Sequence, residues 1–395
     1  MRKLLALAAV VAMTTPAFAG VTLDTRYDYF SAQGNSTYSS STDYLSAFAF
    51  QRLRVGGNGA LTDSVSFKTR LNLLSFGASS AGAQTVSDVQ YGNSLKPATA
   101  PNSLISPAAT GLLLSNTAGN QPNDLIDFAE ADIKVSDSVT VQAGKLFDIG
   151  LSGFEGQVNP GDVSFLSQGY LANTWLEGAA LVYSISDGQT LGLAMFNNND
   201  SKDTSRTGAG IYYVGAFGNL GVRASYHSLP KDNTTIATGA SSINNSASVG
   251  LTPITIGLSY KMDDWKFTLD ADQLTYTSMA ITGNNKVLTS FVGTAEYAMG
   301  NWTPSLKIES TSRTGFETAT GSTSDVNDSI SNLAVQLNYK KAAADNFRYE
   351  LAYVSGTTNY ASTAAYGGAT ASFNNATVNG QFAIASIRYL GDFLK

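Results

Sequence analysis

Arg52 and Arg54 stand two residues apart, as do Lys68 and Arg70, and Arg26 precedes them in a similar alternating string. In an extended strand, residues i and i+2 share a face, so each pair is a small cationic patch. Further along come Glu130 and Asp132, then Asp148, Glu155 and Asp162 in a stretch rich in Gly and Pro. Cations on one wall and carboxylates opposite would set up a field across a wet space, and such charge clusters filter ions. The alternative is that these are solvated side chains with ordinary ion pairs. Covalent chemistry has little to work with. There is no Cys and one His, which excludes thiol nucleophiles, Cys-ligated metals and multi-His centres. His227 has Ser225 on its strand face but no orienting partner in any recognisable motif, and no phosphate-binding or dinucleotide fingerprint occurs, so no cofactor is expected.

The elements that carry these charges are strands. Val21, Leu23, Thr25, Tyr27 and Tyr29 alternate with Thr22, Asp24, Arg26 and Asp28. Val65, Phe67, Thr69, Leu71 and Leu73 alternate with Ser66, Lys68, Arg70 and Asn72. The same period of two recurs through Trp265–Asp272, Ser290–Tyr297, Trp302–Glu309, Leu333–Lys340 and Phe347–Val354. Many runs are longer than the roughly 5–6 residues of a soluble strand and match the roughly 9–11 that cross a bilayer at a tilt. Tyr, Trp and Phe gather at strand ends, where interfacial girdles sit.

Sixteen strands are expected, at 21–30, 44–56, 64–76, 124–135, 138–148, 172–185, 189–197, 207–216, 220–229, 252–261, 265–276, 286–298, 301–313, 328–340, 345–355 and 378–390. Fourteen or eighteen would follow if a weak segment is misassigned. Tight turns rich in Asp, Asn and Gly, at Gly57–Asp63, Ser136-Asp137, Ser186–Gly188, Gly218-Asn219, Met262–Asp264, Met299–Asn301 and Lys341–Ala344, alternate with long polar loops. The longest loop is 77–123. Loop 149–171 is more apolar, with Phe154, Phe165 and Leu166, and is expected to fold into the barrel mouth as a constriction. The fold class is therefore all-β, a transmembrane antiparallel barrel with short periplasmic turns and long extracellular loops, because only helices and closed barrels satisfy their backbone in lipid.

Arg2 and Lys3, the apolar run Leu4–Met13 and Ala17-Phe18-Ala19 before Gly20 read as a signal peptide over 1–19, leaving a barrel over 20–395. Without Arg2 and Lys3 the net charge falls from −6 to −8, which argues against nucleic-acid partners. The charged fraction of 14% and mean hydropathy of −0.04 are what two faces, one in lipid and one wet, average to. A cation on the lipid face costs about 2–4 kcal/mol at mid-depth, so Arg26, Arg52, Arg54, Lys68 and Arg70 are expected to line the lumen.

This pattern resembles bacterial outer-membrane porins. Gln51-Arg52-Leu53-Arg54-Val55-Gly56-Gly57, Phe67-Lys68-Thr69-Arg70 and Val141-Gln142-Ala143-Gly144-Lys145-Leu146-Phe147 are similar to strands of the phosphate-selective type. The C-terminus departs from the pattern by ending Leu394-Lys395 where such barrels end on an aromatic residue. The resemblance implies an outer-membrane location, contact with lipid and lipopolysaccharide, a homotrimer, and passive diffusion of ions and small hydrophilic solutes without enzymatic activity. Glu130, Asp132, Asp148, Glu155 and Asp162 would form the acidic side of the constriction. The competing functions are a barrel acting through its loops as adhesin, receptor or envelope component, and a substrate-specific anion or sugar channel.

Overall fold

The computed structural model describes residues 20–36, 44–79, 112–113, 126–146, 149, 153–154, 164–165, 177–197, 207–232, 249–278, 286–317, 325–342, 344–360 and 376–394. The signal-peptide expectation over 1–19 lies outside them, as do most of loops 77–123 and 149–171. The strands in chain order are β1 (Gly20–Ser36), β2 (Tyr44–Thr62), β3 (Val65–Ser79), β4 (Leu112–Leu113), β5 (Ile126–Lys134), β6 (Val139–Lys145), β7 (Ser164–Phe165), β8 (Glu177–Ser186) and β9 (Gln189–Asn197). They continue with β10 (Thr207–Phe217), β11 (Leu220–Asp232), β12 (Val249–Met262), β13 (Trp265–Ser278), β14 (Lys286–Tyr297), β15 (Trp302–Glu317), β16 (Asp325–Tyr339), β17 (Phe347–Tyr360) and β18 (Ala376–Leu394).

Sixteen of these form one closed barrel, each antiparallel to its chain neighbour, with β1 sealed against β18 from Val21↔Leu394 to Ser36↔Val378. The short β4 and β7 pair with each other, Leu112 opposite Phe165. All sixteen strands expected from the alternation are present. β1 and β17 run several residues further into the loops, because pairing beyond the bilayer needs no apolar face, and β18 is lengthened chiefly at its C-terminal, turn-side end, to Leu394. The expected turn at Gly57–Asp63 is corrected. β2 continues to Thr62, and Gly57 and Gly59 sit in the ladder opposite Thr69 and Phe67. Glycine there serves close packing rather than a turn: a Cβ on the neighbouring Gly56 would collide with the Thr22 hydroxyl. True turns carry the left-handed residues, Asp263 at φ 52° and Gly188, Gly218 and Gly300 at 74°, 62° and 59°.

Parity sorts the side chains in the opposite sense to a water-soluble protein. Leu269, Leu306, Ile308, Leu333, Val335 and Leu351 are exposed on the outside, while Asp270, Lys307, Glu309, Asn332, Gln336 and Glu350 are buried on the inside. The outer face ends, on the turn side, in a band of touching rings. Trp265 packs on Tyr297 at 4.7 Å, Trp302 on Tyr339 at 4.5 Å, Tyr339 on Tyr349 at 6.2 Å and Phe347 on Tyr389 at 5.0 Å. Across β2, β3, β5 and β6 the outward residues at the same height are Leu61, Val65, Ile133, Val135 and Val139, with Phe67 one step further in.

An outward apolar face has a depth-dependent tolerance for charge. Leu351→Arg and Val335→Arg should each destabilise refolding into lipid vesicles by about 2–4 kcal/mol, whereas Leu61→Arg at the rim should cost about 0–1 kcal/mol. Urea titration of the refolded protein measures both, and equal costs at rim and mid-strand would contradict the orientation.

Candidate functional site

The inner face carries charge in two arcs. The first crosses the seam. Arg348 of β17 stands opposite Arg388 of β18, Arg388 opposite Arg26 of β1, and Arg26 opposite Arg52 of β2. One register row thus places four arginines on four adjacent strands, which lie about 4.8 Å apart. Of the four, the side chains of Arg348 and Arg388 are described, and both have counter-ions. Asp24 accepts a forked pair from Arg388, Nε to Oδ1 at 3.0 Å and Nη2 to Oδ2 at 3.3 Å. Glu350 accepts from Arg348 Nη2 at 3.0 Å. Arg54, one step along β2, lies opposite Asp24 and is buried.

The second arc is β3, β5 and β6. Lys68 faces Glu130 across the ladder, and its ammonium lies 2.8 Å from Glu130 Oε1 and 3.6 Å from Asp132 Oδ2. Gln142 of β6 donates to both carboxylates, at 2.9 Å and 3.0 Å. Arg70 lies over the Phe128 ring at 4.9 Å, a cation–π contact. The sequence reading set Glu130 and Asp132 in an acidic group facing the basic residues. The register places them beside Lys68 on the same wall. Asp148, Glu155 and Asp162 lie outside the described residues.

Opposite, β13 and β15 hold carboxylates that sequence reasoning left unassigned. Glu309 accepts from Thr311 at 2.6 Å, from Ser290 at 3.2 Å and from Asn332 at 2.7 Å. Asp270 accepts the backbone N–H of Phe154 at 2.9 Å. That bond brings the segment leaving β6 against the inner face of β11, β12 and β13. Three glycines make room for it. A Cβ at Gly153 would collide with the Asp270 carboxylate. One at Gly221 would lie 2.9 Å from the tip of the Phe154 ring, and one at Gly257 3.1 Å from its edge. Gly153 and Phe154 of the 149–171 stretch therefore lie inside the barrel, and Leu146 and Ile149 before them are buried.

His227 is buried on β11 beside the Phe196 ring at 5.8 Å, in space left by Gly210. Among the described residues, no cluster of three His or acidic side chains is placed to hold a metal. The arrangement can orient ions and dipoles in a channel. The signals for the parts missed were present but not local: Arg348 and Arg388 carry inward parity, and Gly153, Gly221 and Gly257 become a notch only once their strands are neighbours.

No family model matches this sequence, and no curated protein matches it. Among solved structures the chain is similar to the anion-selective porin from Comamonas acidovorans, at 12% identity over 94% of this chain and 99% of that one, with a TM-score of 0.55. It is similar to Salmonella typhi OmpF in complex with daunomycin at 14% identity, covering 93% and 97%, with a TM-score of 0.50. It is likewise similar to a loop L8 deletion mutant of OmpT, an outer membrane protein of Vibrio cholerae, at 13% identity, covering 93% and 99%, with a TM-score of 0.50. At such identities the likeness establishes the fold, which is that of the bacterial outer-membrane porins.

The docking of Phe154 is open to a direct check. A hydrogen bond to a charged acceptor contributes about 1.5–3 kcal/mol, so Asp270→Ala should raise the open population of this segment roughly tenfold or more. Chymotrypsin cleavage after Phe154, followed by mass spectrometry, should accelerate by that factor; an unchanged rate would mean that Asp270 does not hold the segment.

Proposed function

We propose that the chain is a passive channel of a bacterial outer membrane, passing ions and small hydrophilic solutes through a water-filled lumen. One observation carries the reading: a closed barrel of sixteen strands puts apolar side chains outward and paired charged and polar side chains inward. Sixteen strands enclose a width suited to an aqueous passage. The driving force is the solute's own gradient, and the reading assigns no covalent step, cofactor or energy coupling to any residue.

The wall supplies two services. Fixed charges and amides replace part of the hydration of a passing solute, which lowers the cost of leaving bulk water. The segment through Gly153 and Phe154 narrows the cross-section from the β11–β13 side. Residues 1–19 would direct export and be removed, and lipid and lipopolysaccharide would cover the outer band. A homotrimer is part of the proposal. The aromatic band that runs from β13 to β18 gives way over β2 to β6 to aliphatic residues with the single ring of Phe67 a step further in, which suits a flat protein neighbour better than a lipid interface.

Purified protein in a planar bilayer should give steady step currents without added substrate, and the absence of conductance would reject the reading. Deleting 154–166 should raise the single-channel conductance. An unaltered step size would remove this segment from the constriction while leaving the channel itself intact.

A further inference from the structure

One carboxylate of the inner wall stands apart from the paired charges around it. Asp272 of β13 is 2% exposed. Neither of its carboxylate oxygens has a hydrogen-bond partner at bonding geometry, and no ion pair among the described residues ends on it. Thr255 of β12 and Ser290 of β14 stand opposite it in the ladder, and both are buried. Ser225 of β11 stands opposite Thr255, and its hydroxyl is also buried without a partner. One register row therefore carries Ser225, Thr255, Asp272 and Ser290 on four adjacent strands, about 4.8 Å apart. Every polar side-chain atom in that row is an oxygen. Ser290 gives its proton to Glu309 and one lone pair to Thr311, which leaves a second lone pair unused.

The charge count leaves the same remainder. Among the described buried side chains of β11 to β15, the cations are Arg223 and Lys307, and the carboxylates are Asp270, Asp272 and Glu309. Two against three leaves one negative charge. Asp270 accepts from the Phe154 backbone, and Glu309 accepts from Ser290, Thr311 and Asn332. Asp272 is the one without such bonds. His227, the remaining titratable group buried on these strands, lies against the Phe196 ring. Charges inside proteins are paired or coordinate metals, and an orphaned one marks a missing water or ion.

We infer that this row binds an alkali-metal cation, with Asp272 as its charged ligand and the hydroxyls of Thr255, Ser290 and Ser225 around it. A set made only of oxygens suits a hard cation. The single charge fixes which kind. Among the described residues no three acidic side chains are placed to share one ion, so a divalent cation, which draws its affinity from several carboxylates, is poorly matched. A monovalent ion cancels the one excess charge. Bound there, it sits one inward step along β13 from Asp270 and reduces the repulsion between the two carboxylates, which favours the hold of Asp270 on Phe154. The site belongs to the wall and goes beyond the channel reading, since it holds whether or not the lumen conducts.

Thermal unfolding of the refolded protein in detergent tests it. Sodium chloride, potassium chloride and N-methylglucamine chloride are compared at equal ionic strength, so that screening is constant. A ligand that binds only the folded barrel raises the midpoint, and at a roughly tenfold excess over its Kd an alkali cation should raise it by about 2 °C over N-methylglucamine. Asp272→Asn should erase the difference, whereas Glu296→Gln, at the turn rim, should keep it. Equal midpoints in all three salts would overturn the site, because a water or a proton on Asp272 gives that result. A difference that survives Asp272→Asn would overturn the assignment to this residue. A second measurement needs no variant. Crystals of the unsubstituted protein soaked with thallium(I), a stand-in for an alkali cation, should show an anomalous peak at bonding distance from the Asp272 carboxylate, and a map without one would overturn the site.

Discussion

A backbone N–H or C=O in hydrocarbon has no water to turn to, and an unpaired one costs several kcal/mol. Closing β1 on β18 removes the two edges that an open sheet would leave, and every later property of the molecule depends on that closure. Once the ladder is closed, a period of two is the only freedom left, and it assigns each residue to lipid or lumen. The inversion of polarity, with leucines outside and carboxylates inside, is the direct result. It is also why low charge and near-zero mean hydropathy coexist in one chain.

The interior then faces the opposite difficulty. Charges held close to a protein wall lose hydration, and such a loss is repaid only by near partners with good geometry. Three of these charges have them from the chain itself. Arg388 has the forked Asp24, Lys68 has two carboxylates, and Glu309 has three donors. The network fixes the positions of these charges on the wall. Phe154 lays its ring against β11 and β12, whose Gly221 and Gly257 leave it room, and gives one backbone donor to Asp270 of β13. Gly221 and Gly257 are thus as much a part of the site as any charged residue.

The strands were legible because alternation and Asp- or Gly-bearing turns are local signals. The turn assigned to Gly57–Asp63 failed for the same local reason: glycine marks close backbone approach as well as reversal, and the approach of Thr22 to Gly56 depends on β1. Pairing across a long loop was not legible. Lys68 and Glu130 meet because β3 and β5 share a register, and residues 80–125 between them say nothing about it. Glu130 and Asp132 therefore read as a group apart from the cations. Parity made the inward set of residues readable, whereas their neighbours across strands required the barrel.

The Asp24–Arg388 fork joins residues 364 positions apart, across the seam between the first strand and the last. Most other strand pairs join neighbours in the chain and can zip as hairpins, but this one cannot form until β18 is available. Ordering so distant a contact carries a large loop-closure cost that no nearby bond offsets in advance. Until then both β1 and β18 present bare edges, the templates on which strands of other chains add. The seam is therefore the kinetic weak point of assembly. A polypeptide that has released β1 to β17 but not β18 is the form most exposed to aggregation, and one that chaperones would need to shield.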